Sequence, residues 1–354
     1  MRKVLVDNAE PGSKLAKAVF TAEGRVLLTS GMILRDSYVE KLKANGISEI
    51  FIEDDISEGI EVSDVICDKT RVEAKTLVKN LMGRYSFTSN VNAERVKDMV
   101  NKIIDELLNN REVIVNLADI KSVDDYTFEH SVNVCILSLI TGIGLGYNVL
   151  RLKDLGVGAL LHDIGKLRIP EEILKKPSQL SVEEFEEIKK HTIYGYEILK
   201  KCKNISMISA FIAFGHHERY DGSGYPLQLR GENIHQCARI VAVADVYDAL
   251  TSDRVYRKKL KPNEVVRYIT SLGSHHFDKE IVKSFISYIA VYPVGTGVVL
   301  NTKERGLIVR TNRIVPTKPV VRVIYNENNE KLKNFYEVDL AKKGDTYILD
   351  FCDL

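Results

Sequence analysis

The stretch LLHDIGKLRIP, residues 160–170, sets an adjacent histidine and aspartate, His162 and Asp163, at the end of an apolar run and just before a glycine. Residues 150–162 carry apolar side chains at helical spacing, which places the pair at a helix terminus. A lone His-Asp pair arises by chance roughly every few hundred residues. Its weight comes from its company: His130 in YTFEHSVNV, His191 in KKHTIYGYEIL, His216 and His217 in HHERYDGSGYP, and Asp245 in AVADVYDAL also fall at predicted helix ends or loops. Five of the eight histidines belong to this set, so it reads as one constellation.

Histidine and carboxylate donors without thiolate suit iron, manganese, zinc, cobalt or nickel, and an aspartate can offer one oxygen to each of two ions. Seven donors fit two ions. With Asp163 shared, His130, His162 and Asp245 complete one site and His191, His216 and His217 the other, leaving positions for water and substrate. Two ions about 3.5–4 Å apart lower the pKa of water and neutralise phosphate oxygens, so the implied reaction is phosphoester hydrolysis. No Ser-His-Asp or Cys-His arrangement is needed.

The composition agrees with a soluble enzyme. Fifty basic against 49 acidic residues give a net charge of +1, which supplies no global field to recruit a nucleic-acid polymer or a membrane. The five cysteines are scattered and form no CxxC pair, which points to a reducing, cytoplasmic setting, and residues 1–7 hold no signal-peptide core. The longest apolar run, residues 132–145, is interrupted by Asn133, Ser138 and Thr141 and reads as a buried helix rather than a membrane span.

At 354 residues the chain is expected to divide. Residues 1–65 mix short β segments at 3–6, 25–28 and 49–52 with one helix at 34–45. Residues 66–115 are expected to form a helical connector, with Val96, Met99, Val100, Ile103, Ile104, Leu107 and Leu108 along one stripe. Residues 116–290 are expected to be the catalytic domain, with helices at 126–141, 150–162, 181–201, 206–214, 238–251, 262–271 and 278–288. Residues 291–354 turn back to β patterning in VGTGVVL, GLIVR, KPVVRVIY and YILDF.

The order H…HD…H…HH…D, together with LLHDIGKLRIP, HHERYDGSGYP and ARIVAVADVYDALTSDRVYR, closely resembles the HD-GYP family, a branch of the HD-domain metal-dependent phosphohydrolases. The resemblance covers residues 116–290. It implies a mainly α chain: an HD-type helical bundle flanked by a small N-terminal α+β module and a small C-terminal β-rich tail. It also implies hydrolysis of cyclic di-GMP to linear pGpG and, in some members, on to GMP. His130, His162, Asp163, His191, His216, His217 and Asp245 match the family's ligand positions, with Asp163 as the bridge. The expected cofactor is a pair of divalent transition ions, iron or manganese first. Two ions are expected rather than three, because Tyr126 stands where a three-metal subset has glutamate, although Asp124 and Glu129 are nearby carboxylates.

Lys166, one turn beyond Asp163, matches a family phosphate contact. Tyr225, in the Gly-Tyr-Pro segment, is expected to face the substrate, with Gly222 and Gly224 permitting the turns that fold the loop back beside its own histidines. Asp248 shares a helix face with Asp245, and Asp124 matches an acidic family position, so both are expected among the substrate contacts. Arg254 would fall on the opposite face of a continued helix; a turn near residues 251–253 would bring Arg254 and Arg257 over the metals, where their guanidinium forks could grip phosphate or guanine. Asp278 is expected to cap the last helix. The terminal modules are left to packing, dimerisation or regulation, with a homodimer or a signalling protein as partner. Two other readings stand beside the phosphodiesterase: hydrolysis of another nucleotide or cyclic dinucleotide, and a non-catalytic cyclic di-GMP sensor.

Overall fold

The computed structural model describes residues 1–21, 25–83, 92–110, 115, 126–252, 259–273 and 275–354, with backbone alone at Tyr126 and Thr127. It divides into two compact units, one from Met1–Val65, Val113–Tyr126 and Ile289–Leu354, the other from Ile66–Glu112 and Thr127–Tyr288.

In the first unit, β1 (Arg2–Leu5) and β2 (Lys14–Leu15) pair antiparallel on either side of β5 (Glu49–Glu53), and β3 (Val19–Phe20) pairs with β4 (Val26–Leu28). Helix α1 (Asp36–Ala44) contributes Leu42 to a core with Leu15, Val19 and Ile50. Strands β2 and β3 are two residues long, too short to show a period in the sequence. The C-terminal segment forms an antiparallel sheet in the order β10-β6-β7-β8-β9, from β6 (Gly297–Leu300), β7 (Arg305–Arg310), β8 (Val320–Tyr325), β9 (Lys331–Asp339) and β10 (Ile348–Phe351). Strand β9 has no counterpart in the sequence reading: it lies at an edge, only Val338 of KLKNFYEVD is fully buried, and its apolar residues fall on both faces, so no clean alternation marks it. The two ends of the chain share one core, with Ile56 and Ile60 against Leu307 and Ile324. Arg2 Nη1 also donates to the Leu354 carbonyl at 2.6 Å.

The second unit is helical: α2 (Asp68–Gly83), α3 (Ala93–Asn109), α4 (Tyr126–Gly144), α5 (Val149–Leu160), α6 (Glu171–Leu174), α7 (Val182–Lys189), α8 (His191–Lys200), α9 (Met207–Gly215), α10 (Gln236–Thr251), α11 (Pro262–Ser271) and α12 (Lys279–Ser287). Val96, Val100, Ile103, Ile104 and Leu107 of the α3 stripe are buried and Met99 and Leu108 half-buried at its margins, and α3 packs on α5. Residues 132–142, in α4, are buried throughout, so this apolar helix is a core element. Among the described residues no helix is long and apolar enough to cross a membrane. Asp278 caps α12 by accepting from the Glu280 and Ile281 amides. Helix α10 ends at Thr251, with Ser252 already extended at φ −105° and ψ 144°, so the helix stops within the span where a turn is expected.

One element differs in a way that matters for the site. The single helix expected over 181–201 is two, α7 and α8, interrupted at Lys190 immediately before His191. Ser181 and Glu184 form a capping box that starts α7.

Candidate metal centre

Three of the histidines stand where a helix stops. His162 lies two residues past α5, His191 follows α7, and His216 is the C-cap of α9. The last carbonyls of a helix have no amide partner within it, and each of these rings uses one. His162 Nδ1 faces the Ala159 carbonyl at 2.8 Å, His191 Nδ1 the Ile188 carbonyl at 2.6 Å, and His216 Nδ1 the Ala213 carbonyl at 3.0 Å. A carbonyl only accepts, so Nδ1 carries the hydrogen in each ring and the Nε2 lone pair is left for a cation. The break at Lys190 therefore has a chemical consequence: within an unbroken helix the Ile188 carbonyl would bond to an amide one turn on rather than to the His191 ring.

The three Nε2 atoms converge on Asp163, which is 2% exposed. Its Oδ2 lies 3.4 Å from His162 Nε2, while its Oδ1 lies 3.5 Å from His191 Nε2 and 4.0 Å from His216 Nε2. The two oxygens thus face different histidines. On α10, Asp245 Oδ1 is 3.0 Å from His130 Nε2 and Asp245 Oδ2 is 3.8 Å from His217 Nδ1. Three overlapping donor groups result, each with its ligand atoms within 4.8 Å of one another: His130, His162 and Asp245; His191, His216 and His217; and His162, Asp163 and His216.

Electrostatics suit a cation. Burial drives the His216 imidazole well below its ordinary pKa, with His217 and His162 adding to the effect. Burial likewise takes His217 down to about 3 and lowers His191. These rings stay neutral at pH 7, as metal ligands must. Burial by itself would depress His130 as well, but its bonds to Asp245 and Asp248 lift it to about 9, so a proton sits where two carboxylates call for positive charge. Burial pushes Asp163 up, yet Lys166 and His162 outweigh it and hold the carboxyl well below the usual range. His162 Nε2 and Asp163 Oδ1 are buried without a hydrogen-bond partner, a costly state for polar atoms that a divalent ion would relieve. The residues present fit a metal pair.

The site also depends on a close approach that the sequence does not advertise. The 3-10 turn Ile164–Arg168 packs against α8 so tightly that a Cβ on Gly165 would lie 1.9 Å from the His191 carbonyl oxygen. Only glycine lets the HD turn reach the next histidine. The same holds in the Gly-Tyr-Pro loop, where a Cβ on Gly224 would meet the Arg219 nitrogen at 2.3 Å and the His217 oxygen at 2.5 Å. The loop does fold back onto its own histidines: the Tyr225 amide donates to the His217 carbonyl at 3.2 Å, and the Tyr225 ring stacks on His217 at 4.8 Å. Glu218, absent from the sequence reading, is 3% exposed and anchors the loop by accepting from the Leu227 and Leu229 amides at 2.7 and 3.0 Å. A charged residue between a paired histidine and a turn is its only signal in the sequence.

One expected substrate contact is placed differently. Asp248 is fully buried, and its oxygens accept from His130 Nδ1 at 2.8 Å and Asn133 Nδ2 at 2.9 Å. It stands behind His130 and orients that ring, so the substrate-contact role expected for Asp248 is corrected. Lys166 Nζ lies 2.5 Å from Asp163 Oδ2, with 29% of its side chain exposed, and so is paired to the central carboxylate at the rim. Asp124, Arg254 and Arg257 lie outside the described residues, as does the Tyr126 side chain. Glu129 is buried.

Comparison with known proteins follows the same division. The HD domain family matches residues 128–281, and a KOW domain associated with HD domain matches 297–354. A cyclic di-GMP phosphodiesterase of Pseudomonas aeruginosa is 31% identical over 291 residues, covering 82% of this chain and 69% of that protein. A cyclic di-GMP phosphodiesterase of Thermotoga maritima is 38% identical over 176 residues, 49% of this chain and 47% of that protein. A 3'3'-cGAMP-specific phosphodiesterase of Vibrio cholerae is 40% identical over 163 residues, 46% of this chain and 37% of that protein. The chain belongs to the HD-GYP family of HD-domain proteins.

Proposed function

We propose that the chain is a metal-dependent phosphodiesterase that opens cyclic di-GMP to pGpG, with GMP as the product of a second cut. The observation that carries this reading is Asp163, whose two oxygens face separate histidines at the junction of the donor groups. In this reading His130, His162 and Asp245 hold one divalent ion, His191, His216 and His217 the other, and Asp163 touches both. Such a pair would supply an activated water and neutralise phosphate oxygens. Iron or manganese is the first expectation, with zinc, cobalt or nickel also compatible with these donors.

The protein's own groups account for the rest. Helix ends fix the three Nδ1 protons, so the ligand atoms need no reorientation. Lys166, half out of the site, is placed to exchange Asp163 for a phosphate oxygen. Tyr225, held flat against His217, offers a ring face to a base. Arg254 and Arg257, with Asp124, are proposed as further substrate contacts. The relatives named for cyclic di-GMP support the substrate. The relative named for 3'3'-cGAMP favours a second reading, in which another cyclic dinucleotide is the substrate. The five free cysteines fit a cytoplasmic setting.

The test is turnover. Protein purified anaerobically and loaded separately with iron, manganese or zinc should linearise cyclic di-GMP, followed by chromatography of the products. Faster turnover of 3'3'-cGAMP would select the second reading, and nucleotide binding without any cleavage would replace both with a sensor.

A further inference from the structure

His130 is held unlike the other histidines. His162, His191 and His216 are fixed by backbone carbonyls at helix ends, whereas His130 lies inside α4, where the carbonyls are committed to the helix itself. A buried carboxylate takes their place, with Asp248 Oδ2 at 2.8 Å from His130 Nδ1. The other oxygen of Asp248 accepts from Asn133 Nδ2 at 2.9 Å, and Asn133 Oδ1 accepts from Arg71 Nη1 at 2.8 Å. Asn133 and Asp248 are 1% and 0% exposed, so water does not compete for these bonds.

The amide of Asn133 has one satisfied orientation. A carboxylate only accepts and a guanidinium only donates, so Asn133 must turn its NH2 to Asp248 and its oxygen to Arg71. Arg71 thereby satisfies the Asn133 oxygen and locks the amide in the orientation that Asp248 requires. Its position is itself set: Glu106 on α3 accepts from the Cys67 amide at 2.7 Å and from Thr70 Oγ1 at 2.5 Å, pinning the first turn of α2 beside it. Helix α2 precedes residue 128, where the HD match begins.

We propose that Arg71 is a positioning residue for the ion held by His130, acting through Asn133 and Asp248, so that a helix outside the HD match sets the affinity of one of the two metal sites. This rests on the two-ion reading above. In the second group, by contrast, His191 and His216 end on backbone carbonyls. Loss of a ligand's hydrogen-bond partner costs about 10–100-fold in metal affinity, and a partner two links away belongs at the low end.

Metal-free protein titrated with cobalt(II), read by bound metal and by visible absorption, tests this. Wild type should take up two ions. Arg71→Met, which keeps the apolar stem, should hold one as before and weaken the other about tenfold. Arg71→Lys, which keeps a donor, should restore most of the loss. Combining Arg71→Met with Asp248→Asn should cost no more than Asp248→Asn alone, because both changes cut one chain. If the methionine variant does not fold, Asn133→Ala interrupts the chain at its middle and is expected to weaken the same ion. Two ions bound by Arg71→Met (or by Asn133→Ala) with wild-type affinity and spectrum, or both weakened equally, would overturn the relay alone. Wild-type protein that binds no cobalt would overturn the two-ion reading and the relay with it.

Discussion

Variants at Asp163 and Lys166 test the proposed metal-binding and substrate-binding roles separately. Replacing His162 and Asp163 together by alanine removes a donor of the first proposed ion and the carboxylate proposed to touch both, so both turnover and bound metal should be lost, by activity assay and metal analysis. Lys166→Ala removes only a rim cation, so turnover should fall about 10–100-fold, the worth of a charge-assisted phosphate contact of about 1.5–3 kcal/mol, while two ions remain. Retained cleavage in the double variant would contradict the assignment. The titrating histidines add a pH dependence to the metal-free protein. His191, His216 and His217 are depressed in the fold, so their contribution is present above about pH 6.5 and is lost as pH falls toward the folded values. His130 is raised to about 9, so its contribution is present below about pH 6.5 and is lost as pH rises through 9. Thermal melts of chelated protein should therefore peak near neutrality, with the acid side flattened when metal is restored. The members of the His/Asp cluster were legible residue by residue, because histidine is scarce and five of eight fell into one order. Asp248 was misassigned because a helix face shows which residues neighbour one another, not which of them is buried.

Helix termini supply His162, His191 and His216, while His130 and Asp245 lie within α4 and α10. The periodicity that revealed α5 and α9 also located their histidines, but it ran α7 and α8 together, because the break at Lys190 has neither glycine nor proline to announce it. The close contact at Gly165 was equally silent, since HDIGK reads as a helix stop whether or not anything packs on it. Gly165→Ala forces a Cβ to within 1.9 Å of a backbone oxygen, which no side-chain rotation can relieve. It should destabilise the helical unit by about 1–3 kcal/mol or more in urea unfolding and weaken metal binding by displacing His191. Wild-type stability and wild-type metal content in this variant would show that the turn does not sit against α8 as described.

At the scale of the chain, the modules read separately at 1–65 and 291–354 share a core, a long-range pairing that no local pattern encodes. Leu307, 1% exposed beside Ile56 and Ile324, should lose about 2–5 kcal/mol on Leu307→Ala, measured in urea, with the metal content of the folded protein unchanged. Helical content and the β-rich tail were legible because their periods are strong, whereas edge strand β9 was not, because its few apolar residues fall on both faces and only Val338 is fully buried. The account as a whole stands on shared coordination by Asp163. Anomalous X-ray diffraction from crystals of manganese- or iron-loaded protein should show two peaks about 3.5–4 Å apart, with one Asp163 oxygen on each. A single peak, or two peaks with Asp163 bound to neither or to only one, would contradict it.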